Sequence, residues 1–129
     1  MVIDTSVIIA IFLNEPEQKD FVIALASDGV HLLSSVSLME ASMVLGSRKN
    51  ADPWNELEEF MEEGGIRVVS VDIQQAKLAH IAFMRFGKRR HRANLNLGDC
   101  FSYALAQFVD QPLLFKGRDF TLTDIKRAL

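Results

Sequence analysis

Four short apolar runs, at residues 2–3, 31–35, 66–71 and 112–116, are separated by stretches of helical length and helical period. Strands alternating with helices in this way imply parallel pairing, with crossover helices on both faces of one sheet. In such sheets ligands bind at the carboxyl ends of the strands. The chain has 129 residues, so a single α/β domain over residues 1–129 with a central parallel sheet is expected.

Helix signals punctuate the runs. Asp4-Thr5-Ser6 can cap a helix over 7–13, and Pro16 suits the first turn of a second one ending near Gly29. Ser37 can cap a helix over 38–48. Asp52-Pro53 starts a fourth, through Trp54, Leu57, Phe60 and Met61, which Gly64-Gly65 ends. Asp72 caps a long helix closed by Gly87. A further helix runs over 97–109, and a short one is expected over 124–129. The Trp54 stripe reads as core packing, with some of it available as a groove for a partner helix.

Composition excludes other classes. Hydrophobic residues are 49% of the chain and charged residues 24%, which excludes a disordered or fibrous protein. Cys100 is the sole cysteine, so no internal disulfide forms and a reducing compartment fits. His31, His80 and His91 are scattered, without metal-ligand spacing for zinc. His80, within an apolar helix, is expected to be packed, and Cys100 to be a small core residue. No run approaches 18 uninterrupted apolar residues, and the start lacks a basic region and a small-residue cleavage site. The expectation is therefore no membrane span, no signal peptide and a cytoplasmic location.

Four carboxylates stand where chemistry is expected. Asp4 and Asp119 each follow a predicted strand, and Asp99 lies in the first turn of a helix. Each has a structural explanation as a cap, a turn residue or a helix-dipole partner. Glu40 is different. Its neighbours Leu38, Met39, Ala41, Met43, Val44 and Leu45 run nearly all the way round the helix, which suggests burial, and an unpaired buried carboxylate is costly. Either a basic group or a backbone cap satisfies it, or a cation does. Jointly, dispersed carboxylates converging on one sheet edge suit a hard cation such as Mg²⁺, which takes oxygen ligands and keeps several waters. On the 97–109 helix, Leu97, Phe101, Ala104, Leu105 and Phe108 form a stripe that is expected to face the core.

The net charge is −3, but Lys88, Arg89, Arg90 and Arg92 hold four of the 14 basic residues in one segment beside His91. An acidic body with one compact basic loop suits local contact with a polyanion, RNA phosphates above all.

The segments Met1–Ile8, the Glu40 helix, Leu95-Asn96-Leu97-Gly98-Asp99-Cys100-Phe101-Ser102-Tyr103-Ala104-Leu105-Ala106 and Pro112-Leu113-Leu114-Phe115-Lys116-Gly117-Arg118-Asp119-Phe120 resemble the PIN-domain ribonucleases, and more narrowly the VapC toxins of type II toxin–antitoxin pairs. The resemblance covers essentially the whole chain. It implies a three-layer α/β/α fold and an Mg²⁺- or Mn²⁺-dependent endoribonuclease acting on tRNA or rRNA. It also implies a VapB-like antitoxin that supplies a basic side chain to the acidic site, and a homodimer. The family's acidic quartet maps onto Asp4, Glu40, Asp99 and Asp119, and its supporting hydroxyl onto Thr5 or Ser6. Some relatives carry a further acid where this chain has Gly117. Three rivals remain in view. One is a PIN-fold RNA-processing nuclease without antitoxin. Another is a non-catalytic RNA-binding module, which would have a broken acidic set. The last is an aspartyl-phosphate phosphotransferase, whose second Asp is replaced here by Ser6.

Overall fold

The computed structural model describes residues 1–27 and 29–129. Strands β1 (Val2–Ile3), β2 (His31–Ser34), β3 (Ile66–Val69) and β4 (Leu113–Leu114) form one sheet in the order β3-β2-β1-β4, with every pairing parallel. They are linked by α1 (Thr5–Phe12), α2 (Gln18–Leu25), α3 (Ser35–Lys49), α4 (Trp54–Glu63), α5 (Ile73–Phe86) and α6 (Leu97–Val109).

The register explains the layers. Val2 lies opposite Leu32 and Leu113, and Ile3 lies opposite Leu33 and Leu114. Because side chains alternate along a strand, Val2 and Leu113 pack on one face with Ala79, Ala82 and Phe86 of α5 and Leu105 of α6. Ile3, Leu33 and Leu114 pack on the other with Val7 and Ile8 of α1, Leu45 of α3 and Leu57 of α4. Both faces are covered, as a parallel sheet requires, and the fold is a three-layer α/β/α sandwich.

The strand order also locates the crevice. The chain lays β2 and β3 on one side of β1, then returns to place β4 on the other. Strand order reverses between β1 and β4, where open α/β sheets bind ligands. Asp4 directly follows β1, and Asp119 opens a 3₁₀ turn (Asp119–Leu122) after β4.

Several expectations are corrected. Helix α1 starts at Thr5 with Asp4 as its N-cap, and α3 starts at Ser35 because Ser34, not Ser37, accepts the capping N–H from Val36. Helix α2 starts at Gln18, after Pro16. Residues 124–129 form no helix. Leu113 donates to the Lys126 carbonyl and accepts from Ala128, so the tail covers part of the β4 edge instead, as exposed sheet edges often require. Buried Ile125 and the Tyr103 hydroxyl bond to Asp124 (2.6 Å) hold it there.

His80 is exposed, because the buried face of α5 runs through Gln75, Ala79, Ala82 and Phe86, leaving position 80 turned outward. Leu97 and Phe108, expected in the core stripe of α6, are exposed, while Ala104 and Leu105 are buried. Helix α3 is not buried all round either, since Met39 and Met43 face solvent. In α4 the core reading holds for Leu57, which is fully buried, and for Phe60, which packs edge-on against Phe12. Trp54 stays partly exposed, with its indole N–H on Glu58. Among the described residues no helix is long and apolar enough to cross a membrane.

Candidate active site

The ends of β1 and β2 run straight into helices, so α1 and α3 both begin at the carboxyl edge of the sheet. Helix α6 begins nearby and packs against both β1 and α3. This arrangement brings together carboxylates that are far apart in sequence.

Asp4 is 4% exposed. Its Oδ2 accepts the Ser6 N–H at 3.0 Å, the capping role anticipated for it. Its Oδ1 accepts the Ser102 hydroxyl at 2.5 Å, which no cap requires. Thr5 and Ser6 direct their hydroxyls elsewhere. Thr5 Oγ1 donates to the Ser37 carbonyl, and Ser6 Oγ accepts the Lys116 N–H at 2.9 Å. The hydroxyl on the carboxylate is thus Ser102, which the sequence reading missed.

Asp99 also serves as a cap. Its Oδ2 accepts the Asn96 N–H while Asn96 Oδ1 accepts the Asp99 N–H, both at 2.9 Å, a reciprocal capping box that fixes the start of α6. Burial pushes the Asp99 carboxyl up to about 7. The bond from Asn96 opposes the rise, and the charges of Asp4, Glu40 and Asp119 add to it. Asp99 thus feels the charges of Asp4, Glu40 and Asp119.

Glu40 is half-buried in the second turn of α3 and has neither a hydrogen bond nor an ion pair among the described residues. The basic partner that a structural role would require is absent there. The Glu40 carboxylate lies directly on α6 at Gly98. A Cβ at Gly98 would overlap Oε2 and lie 2.5 Å from Oε1 and 2.6 Å from Cδ. Asp119 is exposed. Among the described residues no three such side chains close into a ready-made metal cage.

Neighbouring groups are accounted for otherwise. Burial and the Asp99 charge push the Cys100 thiol up to about 11, so it is not a nucleophile. His91 Nδ1 accepts the Ala93 N–H at 3.0 Å and organises the basic turn. Lys116 pairs with Glu15 and, at 3.3 Å, with Glu17, pinning the segment after β4 to the α1–α2 turn. Lys88, Arg89, Arg90 and Arg92 are all exposed and form no ion pair among the described residues. Arg90 donates to the Met84 carbonyl at 3.3 Å. The loop is closed by Lys88 N–H on the Leu95 carbonyl and Leu95 N–H on the Phe86 carbonyl, immediately ahead of the Asp99 capping box.

The PIN domain model matches residues 1–126. A protein named Ribonuclease VapC from Mycolicibacterium smegmatis is 46% identical over 125 residues, covering 97% of each chain. The chain belongs to the PIN-domain family, in its VapC branch. Ribonuclease VapC30 of Mycobacterium tuberculosis is 43% identical, over 97% of this PIN domain and 95% of the relative. VapC28 of the same species is 43% identical, over 100% and 98%. Two solved structures bear on the fold alone. Mycobacterium tuberculosis VapC20, described as a Sarcin-Ricin loop cleaving toxin, superimposes with a TM-score of 0.78 at 18% identity, over 96% of this chain and 95% of its own. A toxin–antitoxin complex from Klebsiella pneumoniae gives 0.67 at 19%, over 92% and 88%.

Proposed function

We propose that this PIN domain is an endoribonuclease that uses Mg²⁺ or Mn²⁺ to hydrolyse phosphodiester bonds in tRNA or rRNA, and that a VapB-like antitoxin neutralises it. The observation that carries the reading is Glu40, an unpartnered, half-buried carboxylate packed on α6 at Gly98, next to Asp99, whose own ionisation is opposed first by burial and then by its three acidic neighbours. A protein keeps such a set when a cation offsets its repulsion. The donors suit a hard divalent ion, since all are carboxylate oxygens. Mg²⁺ needs only one or two of them, since it keeps several waters. The ribonuclease names of the VapC relatives support cleavage of RNA.

Bound there, the ion supplies Lewis-acid polarisation of the phosphate and acidifies water. Asp4 and Asp99 would hold it, Asp4 through a carboxylate already fixed on both oxygens. Glu40 orients the attacking water and takes its proton. Asp119, which follows β4, would add a further carboxylate oxygen. Attack by water on phosphorus with cleavage of the P–O3′ bond leaves a 5′-phosphate and, once O3′ takes a proton, a 3′-hydroxyl. Purified protein incubated with total RNA is expected to give discrete fragments with Mg²⁺ or Mn²⁺ and none with EDTA. Fragments that persist under chelation would exclude the metal reaction.

Lys88, Arg89, Arg90 and Arg92 grip the RNA backbone. Being unpaired and exposed, each is free to displace a counterion from a phosphate, so log affinity falls with log salt by about 0.7 per contact on single strands. Replacing two of them by alanine is expected to flatten that slope by about 1 to 1.5 in a binding titration at several salt concentrations. An unchanged slope would remove the loop from the interface.

The PIN domain works as a homodimer. Exposed Met39 and Met43 on α3, Leu97, and Phe83 and Ile81 on α5 line adjoining grooves of about 640, 320 and 350 Å³ that share Leu97 and His80. Exposed apolar side chains grouped in this way suit a contact with a second copy. Leu97→Glu is expected to shift the mass in sedimentation from dimer to monomer; an unshifted dimer would place the interface elsewhere.

A further inference from the structure

We propose that Ser37 and Ser102 are positioning residues that form a one-directional hydroxyl relay beneath the acidic site and fix the Asp4 carboxylate for its cation; this rests on the metal reading above. Both serines are fully buried, at 0% exposure, and Asp4 is at 4%. Ser102 Oγ lies 2.5 Å from Asp4 Oδ1, and Ser37 Oγ lies 3.2 Å from Ser102 Oγ. An ionised carboxylate can only accept, and a serine hydroxyl has one proton to give. Ser102 therefore donates to Asp4 and has none left for Ser37, so Ser37 donates to Ser102. Hydrogen bonds aligned in series polarise one another, which strengthens the last of them.

The relay joins the three elements that carry Asp4, Glu40 and Asp99. Ser37 lies one turn before Glu40 on α3, and Ser102 one turn after Asp99 on α6, each on the same helix face as its acid. The Thr5 hydroxyl donates to the Ser37 carbonyl at 3.3 Å, tying the relay's first member back to the residue after Asp4. With the Ser6 N–H on Oδ2, both Asp4 oxygens are held, so the carboxylate cannot rotate away from the cleft. Two serines that merely satisfied each other in a core would not need to end on a carboxylate.

The experiment is calorimetric titration of Mn²⁺ into wild type, Ser102→Ala, Ser102→Thr, Ser37→Ala and the double alanine variant, with thermal midpoints of the metal-free proteins recorded beside it. Removing groups that orient a metal ligand costs about 10- to 100-fold in affinity. Ser102→Ala is expected to weaken Mn²⁺ about tenfold, Ser102→Thr to restore most of it, and Ser37→Ala to weaken it a few-fold. Ser37→Ala added to Ser102→Ala is expected to cost nothing further, because the relay acts only through Ser102. Wild-type affinity in the alanine variants, with only the metal-free midpoint lowered, would overturn the relay and leave the metal site standing. Should Ser102→Ala fail to fold, unchanged affinity in Ser37→Ala overturns it equally. Wild type that binds no Mn²⁺ would overturn the metal reading and the relay together.

Discussion

Asp99→Asn is expected to abolish RNA cleavage and yet make the metal-free protein more stable above pH 7. Both effects come from one carboxyl. In the folded chain it ionises near 7, against 3.8 for an unperturbed group. Between those values the native state holds a proton that the unfolded chain has released. The stability this confers is complete below 3.8 and is lost as pH rises through 7. At pH 8 the ionised group is destabilising by on the order of 2 kcal/mol, discounted for its partial exposure. Asparagine carries no charge, and its carbonyl oxygen can still accept the Asn96 N–H, so the capping box survives. Thermal denaturation should find the variant several degrees more stable than wild type at pH 8 and indistinguishable near pH 4. Mn²⁺ should raise the wild-type midpoint at pH 8 and leave the variant nearly unmoved, because only the former binds it tightly. A variant no more stable than wild type at pH 8 would mean that Asp99 is not held against its charge.

Gly98→Ala is expected to fold normally and lose about 10²-fold or more of the activity, an effect of the size seen when one transition-state contact is removed. Within a helix alanine is favoured over glycine by about 1 kcal/mol, so the backbone of α6 gains from the change. The added methyl, however, occupies the berth of the Glu40 carboxylate. That carboxylate ends a flexible side chain, so the helix stays and Glu40 leaves. Measured on an Asp-intact site, kcat falls while the melting midpoint holds. On a Glu40→Gln background the same change should cost little more, since the displaced group no longer acts. Equal losses on both backgrounds would show that Gly98 serves something other than Glu40.

Much of this arrangement is legible in the sequence because local periodicity carries it. The β-branched run at Ile66–Val69 and the Asp72 cap before α5 announce themselves within a few residues. Glu40 stands out as an acid among Leu38, Ala41 and Leu45, and it has no ion pair among the described residues. What local reading misses depends on long-range contact. Ser102 looks like any small residue in an apolar helix until α3 and α6 bring Ser37 and Asp4 against it across 65 and 98 residues of sequence. Gly98 reads as a weak helix residue until Glu40 fills the space its side chain would take. The tail after Thr123 carries helix-compatible residues, but pairing with Leu113 and anchoring by Ile125 outweigh that propensity. Leu97 and Phe108 keep helical spacing with the core stripe yet lie exposed near the two ends of α6.

On the proposed reading, RNA is cut at this acidic cleft. The most direct test compares wild type with Asp4→Asn on total RNA under Mn²⁺, after circular dichroism has shown both to be folded. The prediction is discrete fragments from wild type and none from Asp4→Asn at equal protein and metal. Undiminished cleavage by folded Asp4→Asn would place the chemistry outside this cleft.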